Sequence, residues 1–150
     1  MTYLFIYYMK TIIPIEIFPI EDDGYHLKVS VYINEKIAIM ILDTGASRSV
    51  FDESRIIEFV NEEAVEDHDR LSTGLGTNTM ESKKVIIDKI TIGEIEITNY
   101  QAAVLDLSHV NQSYEKLDLD PIDGVLGSDI LVDFNAVIDY EKKELRLVKI

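Results

Sequence analysis

A chain of 150 residues, 47% hydrophobic and without cysteine, suits one globular domain with its own core and excludes disulfide frameworks, thiolate metal sites and cysteine nucleophiles. Twenty-eight acidic against fourteen basic residues give a net charge of -14, which repels phosphate backbones and anionic headgroups, so neither nucleic acid nor a membrane is expected as a partner. His26, His68 and His109 lie far apart and no histidine metal site is expected, while the acid-rich runs EFVNEEAVEDHD and YEKLDLDPID read as solvated faces and loops.

The opening MTYLFIYYMK is too short to span a bilayer and lacks the cationic start, long apolar stretch and cleavage site of a secretory signal. Met9, followed by KTIIPIEIFPI, reads as a more natural beginning. Residues 1–8 are therefore expected to be an N-terminal extension, 9–150 a single domain, and the compartment cytoplasmic. TIIPIEI alternates around Pro14, which marks an edge strand or a strand start. YHLKVSVYI alternates with period two, and NEK turns it into IAIMIL, a hairpin whose second arm reads as fully buried and ends at Asp43. Asp52 is a plausible cap for a short helix through SRIIEFVNEEA.

After the glycine-bearing LSTGLGTNTM come the strand-like KKVIIDKITIG, EIEI and YQAAVLDL. GSDILVDF has helical spacing with Ser128 as a possible cap, and AVIDYEKKELRLVKI predicts a hairpin turning at EKKE. The sum is a mainly β fold, a small closed or partly closed barrel with one short helix in its C-terminal half.

The charge at the end of IAIMIL raises a chemical question. Burying a lone carboxylate costs several kcal/mol unless it is paired or protonated, so Asp43 is the leading candidate for chemistry. Gly45 lets the backbone turn and bring its amide to that carboxylate, and Thr44 offers a hydroxyl to a neighbouring backbone or to a second copy of itself. Alone, Asp43-Thr44-Gly45 is a weak signal, since average residue usage places such a tripeptide in roughly one chain in ten or twenty of this length. The context is IDGVLGSDIL, two apolar residues followed by Gly127 and a helix start.

ILDTGAS, IDGVLGSDIL and the intervening glycine hairpin together resemble the retropepsin-like aspartic proteases, over about residues 24–150. The resemblance implies that the strand carrying Asp43 crosses the strand ending in Val125, Leu126 and Gly127 behind the active site, with a helix from Ser128 to Phe134. It implies Asp43, Thr44 and Gly45 as the catalytic residues. It also implies a flap with its tip at Gly74, Leu75 and Gly76, and a substrate-facing Ala46 where pepsin-like enzymes usually carry serine. A phosphate loop would need a third glycine, a lysine and a following helix, which STGLGTNT lacks. DLDPIDGVLGSD spaces its acids somewhat like a calcium loop, but its glycine falls one place late and Ile122 replaces a ligand.

One such tripeptide per chain implies a homodimer, because the chemistry takes two carboxylates sharing one proton. The expected reaction is hydrolysis of an extended polypeptide by an activated water, without cofactor or metal, at a pH less acidic than pepsin's. The competing reading is a fold of this type kept as a non-catalytic dimerisation or peptide-binding module.

Overall fold

The computed structural model describes residues 8–22, 24–67 and 82–150. In chain order, β1 (Met9–Pro14) and β2 (Glu16–Pro19) lead into a hairpin of β3 (Tyr25–Ile33) and β4 (Lys36–Leu42). Asn34 and Glu35 turn that hairpin with φ of 47° and 71°, the left-handed pair that matches the twist of its arms. Next come β5 (Val50–Asp52), α1 (Glu53–Ile56), a 3-10 turn (Glu62–Ala64), β6 (Val65–Asp67), β7 (Lys83–Ile92) and β8 (Ile95–Leu105). The chain closes with α2 (Ser108–Lys116), β9 (Gly124–Leu126), α3 (Ser128–Asp133) and the hairpin of β10 (Val137–Asp139) and β11 (Glu144–Lys149).

Hydrogen bonding runs β3-β4-β9-β5-β8-β7 and returns from β7 to β3 at Tyr32↔Thr91 and Ile33↔Ile90, so six strands close a barrel. Period-two alternation fills it: Leu27, Val29, Val31 and Ile33 of β3 meet Ala38, Met40 and Leu42 of β4, with Phe51, Ile87, Ile90, Val104 and Leu126 from the other staves. A separate three-stranded sheet, β1-β11-β10, holds the two ends of the domain together. Its edge strand β1 stops at Pro14, which has no N–H to donate.

The feature that sets up the site is β9. It lies between β4, which it pairs in parallel through Met40↔Gly124, Ile41↔Val125 and Leu42↔Leu126, and β5, which it pairs antiparallel through Val50↔Val125 and Phe51↔Gly124. This crossing leaves no room at Gly124, where a Cβ would meet the Val50 carbonyl oxygen at 2.4 Å.

Three local expectations change. IAIMIL is not buried throughout: Ala38, Met40 and Leu42 point into the barrel, while Ile39 and Ile41 lie half-buried against a second apolar cluster of Phe18, Tyr114 and Ile122. The helix after Asp52 makes a single turn, because Asn34 Nδ2 and Lys36 Nζ take the carbonyls of Phe59 and Glu58 and bend the chain away. Asp52 does not cap it; its oxygens accept Ser54 Oγ at 2.6 Å and the Leu107 amide at 2.9 Å. α3 is the short helix expected in the C-terminal half, and α2 joins it. Tyr114 is buried on the inner face of α2, Leu107 is buried at its N-cap position, and Asn111 grips the amide and carbonyl of Ile122.

Candidate active site

The β4 ladder extends one residue beyond Leu42: the Asp43 amide donates to the Leu126 carbonyl at 3.1 Å. The backbone then turns. Gly45 N–H donates to Asp43 Oδ1 at 2.8 Å, and the Ala46 amide donates to the Asp43 carbonyl at 3.2 Å. A Cβ on residue 45 would sit 3.2 Å from Asp43 Oδ1, tight against the carboxylate it now approaches freely. This is the amide contact that the sequence assigns to Gly45.

In the single chain Asp43, Thr44 and Gly45 are exposed and Ala46 is half-buried. The expectation of a buried Asp43 is therefore corrected for the isolated protomer. The carboxylate stands at the rim of the barrel, at the end of β4.

Val125, Leu126 and Gly127 lie directly behind this loop. Leu126 is core, Val125 is half-buried between Ile41 and Val50, and Gly127 packs under the loop, where a Cβ would meet the Ala46 carbonyl oxygen at 2.7 Å and the Arg48 carbonyl at 2.8 Å. Gly127, not Ser128, occupies the cap position of α3. Ser128 instead ties the helix to the loop, its amide donating to the Ala46 carbonyl and its hydroxyl to the Thr44 carbonyl, each at 2.7 Å.

Sequence reasoning missed the second tie. Ser49, fully buried, donates its amide at 3.0 Å and its hydroxyl at 2.8 Å to Asp129 Oδ1, and its hydroxyl oxygen accepts the Gly127 amide at 2.9 Å. Tyr100 donates its phenolic hydroxyl to the other oxygen of Asp129. Asp129 is a first-turn residue of α3, as its position after Ser128 suggests, and it also joins three separate segments of chain. The available signal was Ser49 itself, a small polar residue placed where the chain re-enters a buried strand.

The acids of DLDPIDGVLGSD have separate duties, Asp123 accepting Arg55 Nε at 2.6 Å and the Ile39 amide at 2.8 Å. Among the described residues no group of three His, Asp or Glu is placed to hold a metal ion, and no helix is long and apolar enough to cross a membrane. β6 and β7 pair antiparallel up to Asp67↔Lys83, and the expected flap tip, Gly74, Leu75 and Gly76, lies outside the described residues.

Residues 29–130, from β3 through the first turn of α3, match the family described as Aspartyl protease. The chain belongs to the aspartyl protease family. Its fold is retropepsin-like. The chain is similar to a retropepsin-like aspartic protease from Rickettsia conorii, with a TM-score of 0.59 and 19% identity over 95% of this chain and 92% of that one. It is also similar to the retroviral protease-like domain of Ddi1 from Leishmania major, with a TM-score of 0.54 and 17% identity over 77% and 82% of the two chains. At such identities the likeness is one of fold. No curated protein matches the chain in sequence.

Proposed function

We propose that this member of the aspartyl protease family is an endopeptidase active as a homodimer, in which Asp43 of each protomer meets its copy on a two-fold axis. One observation carries the reading. Asp52, Asp123 and Asp129 each accept two or more hydrogen bonds that hold the fold, whereas Asp43, at the end of a barrel strand and framed by Gly45 and Gly127, accepts only the Gly45 amide among the described residues. Of these four aspartates it is the one whose carboxylate is left available for chemistry.

In the dimer each carboxylate replaces the water around the other, and the two hold one proton between them because like charges about 3 Å apart do not both ionise. The unprotonated partner takes a proton from a water lying between them. The protonated one hydrogen-bonds the scissile carbonyl as the tetrahedral intermediate forms. The Thr44 hydroxyls, exposed in the single chain, interlock across the axis and fix the pair. An extended polypeptide lies between this floor and a flap tipped by Gly74, Leu75 and Gly76, with Ala46 beneath it. No cofactor or metal enters the reaction.

The test is digestion of an unstructured peptide mixture between pH 4 and 7 by the wild type and by Asp43→Asn, with products read by mass spectrometry. Cleavage by the wild type alone is expected. Equal cleavage by both would move the chemistry away from Asp43, and absence of cleavage by either at dimer-forming concentration would favour the peptide-binding module.

A further inference from the structure

Register places a cation beside Asp43. Across β9, Leu42 lies opposite Leu126 and Val50 opposite Val125. Asp43 on one side and Arg48 on the other therefore both come level with Gly127, and the Gly127 Cα is packed against the Arg48 carbonyl. Both residues are exposed, while Leu42 and Ser49 next to them are buried. Two strand spacings separate them, about 10 Å between backbones.

Arg48 is exposed, and among the described residues it enters no hydrogen bond or ion pair, although the chain carries a net charge of -14. Lys28, Arg55, Lys84 and Lys89 by contrast each sit against an acid. The backbone under Arg48 is fixed by Gly127 and by Ser49, whose amide and hydroxyl are both bonded to Asp129. A guanidinium on a fixed backbone, at the level of the candidate carboxylate and free of a counter-ion, suits a bidentate hydrogen bond to an incoming carboxylate.

We propose that Arg48 is a specificity-determining residue that selects an aspartate or glutamate side chain close to the cut bond. The inference rests on the reading of Asp43 as the catalytic carboxylate, and it adds a substrate class to it. A peptide laid over Asp43 presents side chains to one face about every 7 Å, so the second residue from the cut bond is the one that comes within reach of the guanidinium. The two-fold axis supplies a second Arg48, so the preference recurs on both sides of the bond. A chain this acidic repels acidic polypeptides in general. Arg48 supplies the local counter-charge that admits an acidic side chain at one place.

The experiment uses extended fluorogenic peptides with an apolar pair at the cut bond and Glu, Gln or Lys at each of the two residues on either side. They are offered to the wild type, Arg48→Gln and Arg48→Glu. The wild type should cleave the best Glu peptide about tenfold more efficiently in kcat/KM than its Gln counterpart. Arg48→Gln should lose that preference, and Arg48→Glu should favour Lys. Binding of the same peptides to Asp43→Asn and to the double variant Asp43→Asn, Arg48→Gln, followed by fluorescence anisotropy, reads the subsite without cleavage. Selective binding that depends on Arg48, in a protein whose wild type cuts nothing, would uphold the acidic subsite and overturn the proteolytic reading. Equal treatment of Glu and Gln at every position, in cleavage and in binding, would overturn the role of Arg48.

Discussion

Two aspartates, Asp43 after β4 and Asp129 in the first turn of α3, answer mutation in opposite ways. Asp129 accepts three bonds from Ser49 and Tyr100, so Asp129→Ala strands a buried serine amide and hydroxyl and should destabilise the protein by about 2 to 3 kcal/mol in denaturant unfolding. Asp43 is exposed and holds only the Gly45 amide, a bond that an asparagine oxygen also accepts. Asp43→Asn should therefore shift stability by less than about 0.5 kcal/mol while removing all cleavage. A large loss of stability in that variant would make Asp43 a structural residue.

Gly127→Ala tests the crowding behind the loop. Its backbone, with φ of -106°, suits any residue, so the predicted loss of about 1 to 3 kcal/mol comes from the methyl alone, 2.7 Å from the Ala46 carbonyl oxygen. The contact of the Gly45 amide with Asp43 was legible in the sequence because it answers a local demand, a charge beside a turn, whereas Gly127 entered through the resemblance of IDGVLGSDIL to a family. Ser49, Tyr100 and the second role of Asp129 were not legible, since residues 80 and 29 positions apart meet only through barrel closure.

α2 and β4 explain each other. β4 read as fully buried because Ile37, Ile39 and Ile41 are as apolar as the core residues between them. Ile37 is in fact exposed, and Ile39 and Ile41 pack against Phe18, Tyr114 and Ile122, a cluster that α2 brings over the outside of the barrel. α2 itself went unread behind its polar composition, although Leu107, Val110, Tyr114 and Leu117 recur at the spacing of one helical face.

Tyr114 makes this cluster testable. Burial pushes its phenol up to about 12 from an ordinary value of 10.0, and its hydroxyl lies 2.6 Å from His26 Nδ1. Between those two values the folded chain retains a proton that the unfolded chain has lost, so the contribution is complete below pH 10 and fades as pH rises towards 12. Urea unfolding across that range should show wild-type stability falling relative to Tyr114→Phe by up to about 2 kcal/mol. Parallel curves would mean that the phenol is not buried in solution.

For the whole molecule the sequence already indicated a mainly β barrel, a hairpin turning at EKKE and an edge strand at Pro14. Alternation and turn chemistry are local properties, and β3, β4, β10 and β11 follow them. The order of the staves and the position of β9 between β4 and β5 depend on which non-local pairs close, and here the resemblance of two short motifs to a family supplied what periodicity did not. One barrel carries one Asp43-Thr44-Gly45, so the proposed enzyme is incomplete as a single chain. Sedimentation should find a dimer, and specific activity should fall on dilution through its dissociation constant.

The most direct measurement mixes wild type with Asp43→Asn at constant total protein, allows the chains to exchange, and follows cleavage of one peptide against the wild-type fraction. If each active site takes a carboxylate from both chains, activity follows the square of that fraction, about a quarter remaining at an equal mixture. A straight line, with half the activity at an equal mixture, would show that each chain works alone and would contradict the shared site.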